Sequence, residues 1–214
     1  MIAIIDYGAG NLFSAKNALD YLHIENMITK DKSVIEQADR LILPGVGAFR
    51  AAMEMLRESD LVDIIKEQAK IKPLLGICLG MQLLFDESYE FEQTKGLGLV
   101  PGKVDRIVTD FKIPHMGYNE LELNVKTPLL TGISNGDWVY FVHSYMAYVD
   151  SAFVGAYCDY DGKIPAFVQD GKYVFGAQFH PEKSGKTGLQ ILENFSSYSA
   201  SNELESFYEE KCNS

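Results

Sequence analysis

"LLGICLGMQLLF", residues 74–85, decides how this chain is read. An apolar run enters, Cys78 sits between Gly76 and Gly80, and a second apolar run leaves. Residues 73–77, PLLGI, are short and apolar, as a buried strand is. Residues 81–88, MQLLFDES, read as the start of a helix. Gly76-Ile77-Cys78-Leu79-Gly80 then has the form G-x-Nuc-x-G, a strand that turns sharply into a helix with a nucleophile at the corner. The flanking glycines remove side chains that would clash in so tight a turn. At a helix N-terminus, unpaired N–H groups and the helix dipole favour thiolate. The Leu79 N–H is placed to bind an oxyanion. Against this stands the ordinary role of a free cysteine as a small buried hydrophobe.

Working outward, the first half alternates strands and helices. IAIIDY (2–7) and RLILPG (40–45) are apolar runs closed by glycines, as buried strands are. Residues 12–22 place Leu12, Ala15, Leu19 and Leu22 on one helical stripe. AAMEMLRES (51–59) and LVDIIKEQA (61–69) read as helices, with Asp60 as a cap for the second. Such alternation predicts a parallel sheet covered on both faces. The second half changes character. KVDRIV, NELELNV, WVYFVHSYMAYV, FVGAYCDY, IPAFVQD and KYVFGAQF are aromatic and β-branched, with hairpin signals at Asp161-Gly162 and Asp170-Gly171. They predict an antiparallel extension of the same sheet. A last helix is expected from about Lys186 to Tyr198. The fold expected is thus α/β, with a mixed, mostly parallel central sheet flanked by helices. Residues 1–200 read as one domain and 201–214 as an acidic tail.

Composition narrows the function. The chain has 214 residues, 47% hydrophobic, enough for one sizeable core. A net charge of −11 leaves no basic footprint, so nucleic acid and anionic membrane are excluded as expected partners. No apolar run approaches the roughly 18–20 residues that span a bilayer. The first ten residues read as neither signal peptide nor anchor. Cysteines 78, 158 and 212 are scattered, with no CxxC, so a cytoplasmic chain with reduced thiols is expected, without metal or cofactor.

A thiol nucleophile needs a base, and the base an orienter. Of four histidines, His23 reads as a surface residue, His143 as pocket wall or core, and His115 as structural or interfacial. His180 follows an apolar strand in GAQFHPEKS. In an extended segment residues i and i+2 share a side. Glu182 can therefore reach one imidazole nitrogen while the other faces Cys78.

GICLGMQLLF together with FHPEKS resembles the class I triad glutamine amidotransferases, whose fold is flavodoxin-like. IDYGAGNL, LPGVGAF, CLGMQLLF, PHMGYNEL, YFVHSY and FHPEKS, spanning residues 5–184, resemble more closely the glutaminase subunits of imidazole glycerol phosphate synthases. Tyr118 departs from the Trp common there. The resemblance implies that Cys78, His180 and Glu182 hydrolyse L-glutamine to glutamate and ammonia. It also implies a heterodimer with a (βα)₈-barrel cyclase, which turns the ammonia into imidazole glycerol phosphate and the carboxamide nucleotide AICAR in histidine biosynthesis. Gln82 and the backbone of His143, Ser144 and Tyr145 would hold the substrate, and Asn11, Tyr140 and Lys183 would face the partner. It further implies a switch in Gly45-Val46-Gly47. Gly45 can adopt positive φ cheaply, and the Val46 N–H would turn in as the second oxyanion donor when the partner is bound. Rival expectations are a paralogue feeding a surface-sugar pathway, a non-catalytic docking subunit, and a free-standing thiol hydrolase.

Overall fold

The computed structural model describes residues 1–200. The acidic tail read at 201–214 lies outside the described residues. In chain order the elements are β1 (Ile2–Ile5), α1 (Leu12–Tyr21), β2 (Asn26–Thr29), α2 (Lys32–Gln37) and β3 (Arg40–Gly45). Next come α3 (Phe49–Glu58), α4 (Val62–Gln68), β4 (Leu74–Cys78), α5 (Leu79–Gln82), β5 (Phe85–Ser88), β6 (Thr94–Lys95) and β7 (Val100–Arg106). Then follow β8 (His115–Glu120), β9 (Glu122–Leu123), β10 (Trp138–His143), β11 (Tyr145–Tyr148) and β12 (Val154–Asp159). The last are β13 (Lys163–Asp170), β14 (Val174–Ala177) and α6 (Gly185–Ser197).

Eight strands form the central sheet in the order β2-β1-β3-β4-β14-β13-β12-β9. Pairing is parallel from β2 to β14 and antiparallel from there to β9. Successive side chains of a strand point to opposite faces. Ile2 and Ile4 therefore enter one core with Leu19 of α1 and Leu192 and Phe195 of α6. Ala3 and Ile5 enter the other with Ile35, Phe49, Leu56 and Ile65 of α2, α3 and α4. Burial on both faces is why these strands read as unbroken apolar runs.

Three expectations need correction, and two elements carry no reading in the sequence. The aromatic second half does not all join the central sheet: β8 pairs with β10, and β11-β7-β5-β6 form a separate sheet. The helix read from Met81 stops at Gln82. The Leu83 carbonyl accepts from Leu97 N–H, and the Leu84 carbonyl from Leu99 and Val100 N–H, so both are taken by another segment. Leu83, Leu84 and Phe85 are all fully buried, a pattern one helical face cannot supply, and the chain leaves as β5. Asp60 does not cap α4. It sits at φ 56°, and Leu61 takes the cap position without a side-chain bond. Finally, β2 and α2 went unread: β2 is an edge strand with mixed exposure, and α2 has only six residues.

Candidate active site

Cys78 ends β4 and opens α5 at φ 56°, ψ −113°. A non-glycine residue in that region is strained, as nucleophile elbows are. Three glycines allow the turn. A Cβ on Gly76 would lie 2.6 Å from the Gly80 carbonyl oxygen, and one on Gly80 would collide with the Leu43 carbonyl. A Cβ on Gly45, which pairs with Cys78 across the sheet, would lie 2.6 Å from Gly80 N. The end of β3 and the elbow thus lock together backbone to backbone. Two expectations change here. Gly45 is not in the left-handed region; Gly47 is, at φ 96° with open space around it. And α5 is a single turn, so its dipole does less for a thiolate than a full helix would.

The electrostatic partner of the thiol comes instead from the neighbouring strand, β14. β14 lies beside β4 in parallel register, and the chain leaving it carries His180 to the elbow. His180 Nδ1 is 2.8 Å from Glu182 Oε1, and both side chains are almost wholly buried. Burial disfavours the imidazolium. The Cys78 sulfur and then the Glu182 carboxylate outweigh it and raise His180 to about 9. Nε2 of His180 and Oε2 of Glu182 are buried without a hydrogen-bond partner among the described residues. The Cys78 Sγ lies 4.0 Å from the Val142 carbonyl.

Cys78 and His180 open on a cleft of about 320 Å³, shared by Val46, Gly47, Leu79, Gln82, Val142, His143, Ser144 and Tyr145. Every residue read as substrate-binding therefore lies on this cleft, except Gly45, which packs behind it. Glu90 also lines it and was missed. It is buried, burial raises its carboxyl, and its Oε2 accepts from Phe49 N–H at 2.6 Å. In sequence it sits in the polar stretch SYEFEQTK and carries no signal. Asn11 lies with Gly45, His180 and Glu182 around a small void behind the triad. Tyr140 is half-buried and Lys183 exposed: Lys183 Nζ is 6.0 Å from the Tyr140 ring, and Tyr118 OH donates to the Lys183 carbonyl at 2.8 Å. His23 is exposed. No group of three or more His, Cys, Asp or Glu among the described residues could hold a metal ion. No helix among them is long and apolar enough to cross a membrane.

A strained thiol on the cleft, with a buried imidazole–carboxylate pair beside it, suits thiol chemistry, and the family profile "Glutamine amidotransferase class-I" matches residues 3–197. The chain belongs to that family. It is 54% identical, over 196 residues, to the "Imidazole glycerol phosphate synthase subunit HisH" of Bacillus cereus (strain G9842), covering 91% of this chain and 93% of that one. The protein of the same name from Bacillus thuringiensis (strain Al Hakam) is 50% identical over the same shares. Among solved structures, one described as "Crystal structure of glutamine amidotransferase" superposes with a TM-score of 0.72 at 22% identity, over 91% of this chain and 98% of the other. "Structure of PurLQS from Thermotoga maritima" does so with 0.72 at 20% identity, over 91% and 96%. At such identities they show the shared fold.

Two glycine variants separate space from conformation. In Gly45→Ala the new methyl meets Gly80 N and Leu79 Cβ, so melting temperature and hydrolysis are both expected to fall. In Gly47→Ala nothing is met. Only a left-handed φ is forced on alanine, costing about 1–2 kcal/mol. Loss of activity with an unmoved melting curve in Gly45→Ala would contradict the packing role.

Proposed function

We propose that the chain is the glutaminase of an imidazole glycerol phosphate synthase, with residues 1–200 as one amidotransferase domain in the cytoplasm. The observation that carries this is Cys78 and His180 on one amino-acid-sized cleft, with Glu182 against the far nitrogen of His180, together with the names of the relatives. In this reading L-glutamine enters with its side-chain amide at Cys78. The Cys78 thiolate attacks the amide carbon, and the oxyanion is received by the N–H of Leu79 and of Val46. His180 gives its Nε2 proton to the departing ammonia, leaving a glutamyl thioester. It then takes a proton from water, whose hydroxide releases glutamate and frees the thiol. The partnerless Nε2 suits an atom whose partners are the reacting species. Gln82 and Glu90 offer acceptors to the amino-acid end. No cofactor is required in this scheme.

The ammonia then passes to a (βα)₈-barrel cyclase bound as a heterodimer, which makes imidazole glycerol phosphate and AICAR. The docking face we assign contains Asn11, Tyr140 and Lys183. Exposed Met116, Tyr118 and Trp138 lie on the same β8–β10 pair and support it. Docking turns the Val46 N–H inward, with its freedom at the exposed, left-handed Gly47. The test is co-purification with a barrel subunit and measurement of glutamate release with and without its nucleotide ligand. Release only in the complex supports the reading. Equal release by the isolated chain would make it a free-standing thiol hydrolase, and no release in any complex a docking subunit.

A further inference from the structure

A histidine pair outside the triad lies beside the cleft, His143 in its wall and His115 behind it. His115 of β8 and His143 of β10 are direct cross-strand partners. The His115 ring stacks on Phe141 and Tyr160, with centroids 4.7 and 4.0 Å away and planes tilted by 23° and 25°. Its Nδ1 is 3.0 Å from His143 Nε2, and His143 Nδ1 is 2.8 Å from the Tyr145 carbonyl oxygen. A carbonyl only accepts, so His143 carries its hydrogen on Nδ1. Its Nε2 is then the acceptor, and the hydrogen between the rings belongs to His115 Nδ1. Burial lowers His115 to about 4 and His143 to about 3, so both rings are neutral near pH 7.

The chain continues past Tyr145. Its carbonyl also accepts from Gln82 Nε2 at 3.0 Å, and the same Nε2 donates to Gln178 Oε1 at 2.9 Å. Both amide hydrogens of Gln82 are thereby used. Its Oε1 has no hydrogen bond from the described residues, and Gln82 lines the cleft with Glu90. Flipping the Gln82 amide would set Oε1 against the Tyr145 carbonyl, oxygen to oxygen. Gln178 could turn to suit the flip, because its own Nε2 is unpartnered. The Tyr145 carbonyl cannot turn, because β11 is paired with β7 from Tyr145 onward and His143 Nδ1–H donates to the oxygen. The direction of Gln82 therefore depends on the Tyr145 carbonyl, which the strand pairing places and the His143 N–H shares with Gln82.

We infer that His115 and His143 are positioning residues: through the Tyr145 carbonyl they fix Gln82 with its amide oxygen toward the cleft, as a reader of the substrate's α-ammonium group. This rests on the glutaminase reading and names how that site selects an amino acid over a simple amide.

The experiment uses the complex with the barrel subunit and two substrates, L-glutamine and 4-carbamoylbutanoate, which lacks only the α-ammonium group. His143→Leu should raise KM for glutamine more than it lowers kcat. The ratio of kcat/KM between the substrates should fall about tenfold, as for a mispointed hydrogen bond to a charged group. His115→Phe keeps the stacked ring and removes the donor, and should lower the ratio in the same direction. His143→Asn offers a side-chain N–H in place of Nδ1 and should restore most of the ratio. A merely structural role would lower both substrates alike, and an unmoved ratio overturns the proposal. Nitrogen-15 NMR of the wild-type histidines reads the tautomers without any variant. Protonation at Nδ1 of both rings is expected, and a hydrogen on His143 Nε2 overturns the arrangement. A wild-type complex without glutamate release sinks the glutaminase reading and leaves the tautomers to be judged by themselves.

Discussion

Cys78→Ala is expected to abolish glutamine hydrolysis in the complex while synthesis from added ammonia continues. The two outcomes follow from a division of labour. In the proposed function, thiol chemistry belongs to this chain and use of the ammonia belongs to the partner. Without sulfur there is no thioester, and what remains is a cleft that binds glutamine beside an idle imidazole. Loss of a covalent nucleophile in unit-like catalytic groups costs roughly 10⁶ in kcat, so residual hydrolysis should lie far below one part in about 10³. The fold should tolerate the change. Alanine is held at the same strained φ of 56° as cysteine, and Cys78 is a small side chain at the edge of the core. Glutamate release above that level would move the nucleophile elsewhere. Simultaneous loss of ammonia-dependent synthesis would mean that the elbow also shapes the docking face.

The elbow and the His-Pro-Glu segment were legible because each is local. Gly76, Cys78 and Gly80 lie within five residues, and His180 and Glu182 lie two apart, although they meet across a 3₁₀ turn at Pro181–Lys183 and not on the extended segment expected from sequence. The central sheet was legible because strands buried on both faces read as unbroken apolar runs. What escaped depends on distant segments. Nothing in MQLLFDES shows that residues 97–100 will take the carbonyls of Leu83 and Leu84 and end the helix after one turn. Glu90 looks like a solvated charge until its loop folds onto the Phe49 N–H. His115 and His143 stand 28 residues apart, and only the β8–β10 register makes them one unit. In Gly45-Val46-Gly47 the positive φ expected at Gly45 is found at Gly47. Gly45 and Gly47 look alike in PGVG, and only the approach of Gly80 tells the packing glycine from the one at positive φ.

His180→Ala should be nearly as damaging as Cys78→Ala, and Glu182→Gln clearly less so. His180 touches every proton that moves in the proposed reaction. Glu182 acts on it from behind, through Nδ1 at 2.8 Å, by fixing the tautomer and stabilising the imidazolium. In a comparable triad the orienting carboxylate costs about 10⁴ when removed and the base about 10⁶. The pH profile separates that role from simple packing. Acylation needs the imidazolium, because its proton leaves with ammonia. In the wild type the imidazolium persists up to about 9, so kcat/KM should hold through neutral pH and fall on the alkaline side near that value. A glutamine at 182 keeps an acceptor for Nδ1–H but removes the charge, while burial goes on disfavouring the cation. The alkaline limb should therefore move to lower pH in Glu182→Gln. The same linkage acts on stability. A histidine raised on folding adds stability that is fully present below its unfolded value near 6.5 and is lost as pH rises through about 9. The melting temperature of the wild type should accordingly decline across that window more steeply than that of Glu182→Gln. An alkaline limb that stays in place in the glutamine variant would show that Glu182 orients the ring without supporting its charge.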